Sequence, residues 1–174
     1  MEIKKNKFIS RKFKNLENND IEIFDNILNN NLSIILGEPA SGKTFQLKNH
    51  SFNNKNILFK ELVNIKLEEI NIDNIEIVFL DSIDEALRDV SSQSMKQLQD
   101  KLTNYIDRCK EINSNIKFVL TCRQLEWNEY FANSIKKIDD KLKIYKILDL
   151  EKDQIDSILT YKGIDNSEFW DFIS

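Results

Sequence analysis

Residues 37–44 read G-E-P-A-S-G-K-T and hold two of the 3 glycines in a chain of 174 residues. Glycine turns the main chain tightly and leaves no side chain between the backbone and a ligand. Successive N–H groups in such a bend can converge on an anion. A helix starting at the end of the bend adds free N–H groups and the positive end of its dipole. The chemistry this spacing fits is the wrapping of a phosphate. Gly37, Glu38, Pro39, Ala40, Ser41 and Gly42 would form the cradle. Lys43 would reach the β- and γ-phosphates, and the Thr44 hydroxyl would ligate magnesium. Pro39 has no N–H, so the donors must come from its neighbours.

Two further segments carry polar groups straight after an apolar run. "IEIVFLDSIDEALRD" (75–89) puts Asp81 at the end of such a run, followed by Ser82, Asp84 and Glu85. A carboxylate there can hold magnesium opposite Thr44, on a strand expected to adjoin the loop strand. Asp84 and Glu85 both qualify to orient and activate water, and the sequence does not rank them. An acidic pair at a helix start is also favoured by the dipole alone. "IKFVLTCRQLEW" (116–127) ends its run in Thr121, Cys122 and Arg123. A guanidinium at that position can touch a γ-phosphate, and Thr121 can help orient the attacking water. No N-K-x-D guanine-reading motif follows, so ATP is the expected nucleotide.

These segments need elements to position them. "LSIIL" (32–36) reads as a buried strand leading into the glycine loop, and residues 44–50 as the helix after it. Runs at 56–60, 75–80, 116–120 and 143–150 read as further strands. Met95, Leu98, Leu102, Tyr105, Ile106 and Cys109 follow a helical spacing between two of them. Upstream, Ile21, Phe24, Ile27 and Leu28 predict a helix over 20–30. A last helix begins near Glu151, with Gly163 as its stop. Strands alternating with helices predict an α/β domain. Its core is a mostly parallel five-stranded sheet with helices on both faces, in three layers. In such sheets ligands sit beyond the carboxyl ends of the strands, where the polar segments fall.

Bulk composition narrows the partners. The formal net charge is −4, which argues against a dedicated nucleic-acid binder. Lys4, Lys5, Lys7, Arg11, Lys12 and Lys14 crowd the N-terminus and read as a solvated face. Cys109 and Cys122 form no zinc pattern and read as reduced thiols. No secretory signal and no run long enough to span a bilayer is visible, which predicts a cytoplasmic protein without a membrane partner. His50, the single histidine, is expected at a helix end, and Trp127, Tyr130 and Phe131 in the core.

With "GEPASGKT", "FLDSIDEA" and "FVLTCR" together, the chain resembles the NACHT-type STAND NTPases, a branch of the P-loop NTPases, over residues 32–150. In that family a tiny residue follows the magnesium aspartate and an acidic pair comes shortly after, as Ser82, Asp84 and Glu85 do here. The resemblance implies a P-loop NTPase core at 32–150, an N-terminal segment and helix packed on it at 1–31, and the start of a C-terminal helical region at 151–174. It implies phosphate binding by Lys43, magnesium at Thr44 and Asp81, water handled by Asp84 or Glu85, and Arg123 as sensor. The implied activity is weak magnesium-dependent ATP hydrolysis in a nucleotide-controlled signalling or oligomerisation switch, in settings such as microbial antiviral defence. Further helical and sensor domains and copies of the chain are the implied partners. The alternative is an AAA+-like ATPase motor or helper acting on a polymer, although such motors usually carry glutamate where this chain has Ser82. A small-molecule kinase would need an acceptor pocket and an arginine-bearing lid, which the sequence does not display.

Overall fold

A computed structural model of the chain describes residues 10–65, 70–83, 92–127 and 129–173. The strands are β1 (Lys12–Asn15), β2 (Ile21–Ile23), β3 (Leu32–Leu36), β4 (Ile57–Glu61), β5 (Ile77–Asp81), β6 (Lys117–Cys122) and β7 (Lys143–Ile147). The helices are α1 (Phe24–Ile27), α2 (Lys43–Asn53), α3 (Ser92–Ile112), α4 (Glu129–Lys136), α5 (Lys152–Lys162) and α6 (Asn166–Ile173). The strands form one seven-stranded sheet in the order β2-β1-β7-β3-β6-β5-β4. The five from β7 to β4 are parallel, and β1 and β2 are antiparallel additions.

The sheet divides the core because successive side chains on a strand face opposite ways. On β3, Leu32, Ile34 and Leu36 point into one cluster with Leu102, Tyr105, Ile106 and Cys109 of α3 and Ile135 of α4. Ile35 points into the other, with Phe24 and Ile27 of α1 and Leu47 of α2. Helices therefore cover both faces, as expected for parallel strands made of continuous apolar runs. The helical stripe on α3 is observed, with Leu98 packed against the same cluster; the Met95 side chain lies outside those described. Both cysteines are buried and neither is disulfide-bonded, and burial pushes the Cys109 thiol up to about 11. Among the described residues no helix is long and apolar enough to cross a membrane.

Two expectations need correction. The sheet has seven strands, not five, because the N-terminal segment contributes a hairpin. The helix expected over 20–30 is instead strand β2 and the single turn α1. A turn at 16–20 causes this. Asn19 adopts a left-handed φ of 65°, a conformation asparagine tolerates better than most residues. The Asn15 amide donates to the Asp20 carbonyl at 2.8 Å. Ile21 thereby turns outward, while Phe24 and Ile27 keep the buried positions expected of them.

The chain leaves the sheet through β7 into α5. Glu151 caps this helix in a reciprocal box with Gln154, and Gly163 ends it with φ 71°. The start of α5 is tied to the N-terminal segment. Lys12 pairs with Glu151 at 2.7 Å, and Gln154 donates to the Ser10 carbonyl at 2.7 Å.

Candidate functional site

The site is set by where three neighbouring parallel strands end. Leu36 of β3 pairs with Cys122 of β6, and Leu80 of β5 pairs with Leu120 of β6. Gly37, Arg123 and Ser82, each the residue after its strand, therefore leave one edge of the sheet together. The expectation that the acid lies on the strand adjoining the loop is corrected: β6 stands between β3 and β5. Two strand spacings, about 10 Å, separate their axes.

The loop leaves β3 with the Gly37 amide bonded to the Cys122 carbonyl at 3.3 Å. A Cβ on Gly37 would stand 2.4 Å from Ile147 Cγ2 and 2.8 Å from Ser41 Oγ, so only glycine fits. The Ser41 amide closes a turn onto the Glu38 carbonyl at 3.2 Å. Ala40 and Gly42 both take left-handed φ, 60° and 93°, the kind of alternation that aims backbone amides into a concavity. Gly42 is the N-cap of α2, whose first turn carries no acidic residue. The first amides of a helix have no acceptor within the helix itself, and those of α2 begin directly after the loop, at Lys43 and Thr44. Lys43 folds back over it, its Nζ donating to the Gly37 carbonyl at 2.7 Å, the Glu38 carbonyl at 3.0 Å and Ser41 Oγ at 3.4 Å. Glu38, Pro39 and Ala40 are exposed at the tip.

Across the sheet edge, Asp81 is the last residue of β5 and only 1% exposed. Thr121 of β6 donates its hydroxyl to Asp81 Oδ1 at 2.5 Å, and Ser82 Oγ donates to Oδ2 at 3.3 Å. Thr121 Oγ1 in turn accepts the Ser82 amide at 3.0 Å. Ser82 sits at φ 61°, a strained conformation for a residue with a side chain. The expectation that Thr121 orients water is therefore replaced. Its hydroxyl proton is given to Asp81, and a side chain without that hydroxyl would strand the buried Asp81 oxygen, at a cost of about 1–3 kcal/mol, and leave the part-buried Ser82 amide without this acceptor.

Among the described residues the hydrogen-bond partners of Asp81 are two hydroxyls and no cation, and burying a charge without a counter-charge is costly. A hard cation with oxygen ligands fits that deficit, and magnesium is commonly held by one or two protein oxygens with phosphate and water completing the shell. Asp81, at the end of β5, and Thr44, in the first turn of α2, carry oxygens of that kind. Among the described residues no group of three His, Cys, Asp or Glu side chains gathers into a metal cluster, so any cation there would depend on the phosphates as well. Arg123 is half-buried directly after β6. Asp84 and Glu85 lie outside the described residues.

His50 ends up in the second half of α2. Its ring bonds to the Gln46 carbonyl at 3.1 Å and packs on Phe24 with centroids 4.4 Å apart, away from the loop. Trp127 packs against the core, and the Tyr130 and Phe131 side chains are outside those described. One residue read as part of a solvated face is corrected: Arg11 is half-buried, with its Nε out of contact with solvent. Arg11 lies against the loop, with Nη1 3.3 Å from the point where a Cβ on Gly42 would stand. Its one distinguishing mark in the sequence is that it is the only arginine among the N-terminal lysines. No protein-family model matches this sequence, and none of the curated proteins is similar to it, so the reading of the site rests on its own residues.

Proposed function

We propose that the chain is a P-loop NTPase domain that binds ATP with magnesium, hydrolyses it slowly and acts as a nucleotide-controlled switch, in the manner of the NACHT-type STAND NTPases it resembles. The observation that carries this reading is the meeting, at one sheet edge, of the glycine loop with the Asp81–Thr121 pair. Either feature alone has ordinary explanations. A buried acid beside an anion cradle is hard to account for without a phosphate-bound cation between them.

In this reading the loop amides and Lys43 bind the phosphates, and Arg123, directly after β6 at the same sheet edge, is assigned to the γ-phosphoryl group. Thr44 and Asp81 hold magnesium, with Thr121 and Ser82 fixing the carboxylate. When bound, the cation neutralises charge that develops on the transferred phosphoryl group. Arg123 contributes a donor fork to a γ-oxygen, so its contact distinguishes ATP from ADP. Asp84 and Glu85 are assigned to the attacking water on sequence position alone.

A switch requires that the two nucleotide states favour different arrangements of the chain. The route out of the site runs through β7, whose Ile147 touches the loop at Gly37 and whose end feeds α5. On α6, Trp170 Nε1 donates to Asp156 of α5 at 2.7 Å, so the two helices form a unit that neighbouring domains or copies of the chain can dock against. The setting in antiviral defence belongs to this same proposal and rests on the resemblance.

The test is turnover. The parent protein should release phosphate from MgATP slowly, and Glu85→Gln or Asp84→Asn should slow release at least about tenfold while ATP binding persists. If both variants turn over at the parent rate, neither residue activates water. If ATP fails to bind the parent at all, the function proposed here is wrong.

A further inference from the structure

Arg11 has more hydrogen-bonding capacity than its surroundings use. Its Nη2 donates a short bond to the Leu148 carbonyl. Its Nε is buried with no hydrogen-bond partner among the described residues. Its Nη1 faces Gly42, at the start of α2. A guanidinium carries five donors and no acceptor, so one carbonyl leaves most of that fork unspent. Burial holds its pKa below the ordinary arginine value, and nearby Asp149 only partly offsets this. The loop beside it is the one read as a phosphate cradle, where the positive end of the α2 dipole favours an anion. An anion held at the start of α2 would have the Arg11 guanidinium beside it.

We propose that Arg11 is a phosphate ligand of the nucleotide held by the 37–44 loop, a cation supplied from the N-terminal segment rather than from the sheet edge. The proposal rests on reading that loop as a phosphate cradle. It also gives the site a mechanical link. Ser10 and Lys12, on either side of Arg11, are bonded to Gln154 and Glu151 at the start of α5. The Lys12 carbonyl accepts the Leu148 amide at 3.0 Å. Arg11 thus stands between the phosphates and the point where the chain turns into its C-terminal helices. Drawing its guanidinium toward a phosphate pulls on the carbonyl that precedes α5.

The chain has four arginines, so in protein labelled with 15N-arginine the Arg11 Nε signal can be assigned from the four single Arg→Lys variants. In the parent protein that signal should shift on saturation with MgATP and stay in place with adenosine. In calorimetric titrations Arg11→Gln should bind ATP about tenfold more weakly than the parent, as expected for losing a hydrogen bond between charged groups. Arg11→Lys should recover part of the loss. An Nε signal that does not move at saturating MgATP overturns the proposal whatever the variants do, and needs only that the parent folds. If Arg11→Gln binds ATP like the parent while Lys43→Ala does not, Arg11 is no ligand and the loop remains the phosphate site. If Lys43→Ala also binds ATP like the parent, the reading of the loop fails and this inference fails with it.

Discussion

Lys43→Ala is expected to bind ATP about a hundredfold more weakly than the parent protein, because it loses a charge-assisted contact worth roughly 2–3 kcal/mol. The ammonium is already positioned for that role. It is held above the loop by the Gly37 and Glu38 carbonyls and by Ser41 Oγ, acceptors that a phosphate can replace at little cost in reorganisation. The substitution should barely change the fold. Lys43 is only half-buried, and water can take over the carbonyls it leaves. A thermal melt should therefore fall by no more than about 3 °C, close to 1 kcal/mol for a chain of this size. Isothermal titration together with the melt separates loss of a ligand contact from loss of structure.

Gly37→Ala should do the opposite, damaging the fold first and the site through it. The added Cβ would meet Ile147 Cγ2 at 2.4 Å and Ser41 Oγ at 2.8 Å. Ser41 can rotate away, but Ile147 is a buried β-branched residue on the neighbouring strand, with few rotamers to retreat into. Overpacking of this kind costs about 1–3 kcal/mol, and the melting temperature should fall by roughly 3–10 °C. Ile147→Ala removes the opposing methyl at its own cavity cost. The double variant Gly37→Ala/Ile147→Ala should then be more stable than the sum of the two single effects predicts, by about 1 kcal/mol or more. Additive effects would show that the loop root moves freely and that β7 does not brace it.

The positions of the candidate residues at the ends of the apolar runs were more legible in the sequence than the frame that holds them. The 37–44 motif is read from residue type and spacing alone, and its parallel strands announce themselves as apolar runs such as 32–36 and 75–80. Strand ends were less visible. β5 extends to Asp81 and β6 to Cys122 because parallel pairing with Glu61 and Leu36 carries both ladders past the last apolar residue. The order of strands was not legible either, since no local pattern says that β6 inserts between β3 and β5. The N-terminal hairpin was missed for a related reason. β1 buries a single apolar side chain, Phe13, and β2 has three residues, too few for an alternating pattern to stand out. Misreading that hairpin hid Arg11, because a guanidinium's partners across the sheet, such as the Leu148 carbonyl 137 positions away, leave no trace in local spacing.

The central claim is that the loop and Asp81 are two halves of one magnesium–phosphate site. Calorimetric titration of ATP, with and without magnesium, into the parent and into Asp81→Asn tests it most directly. Asparagine keeps the size of the side chain and an oxygen for the Thr121 hydroxyl, and removes the negative charge. Magnesium should tighten ATP binding to the parent at least about tenfold. In Asp81→Asn that gain should largely vanish while magnesium-free ATP binds about as well as to the parent. Magnesium tightening ATP equally in both proteins would contradict the account, because it would leave Asp81 no part in holding the metal.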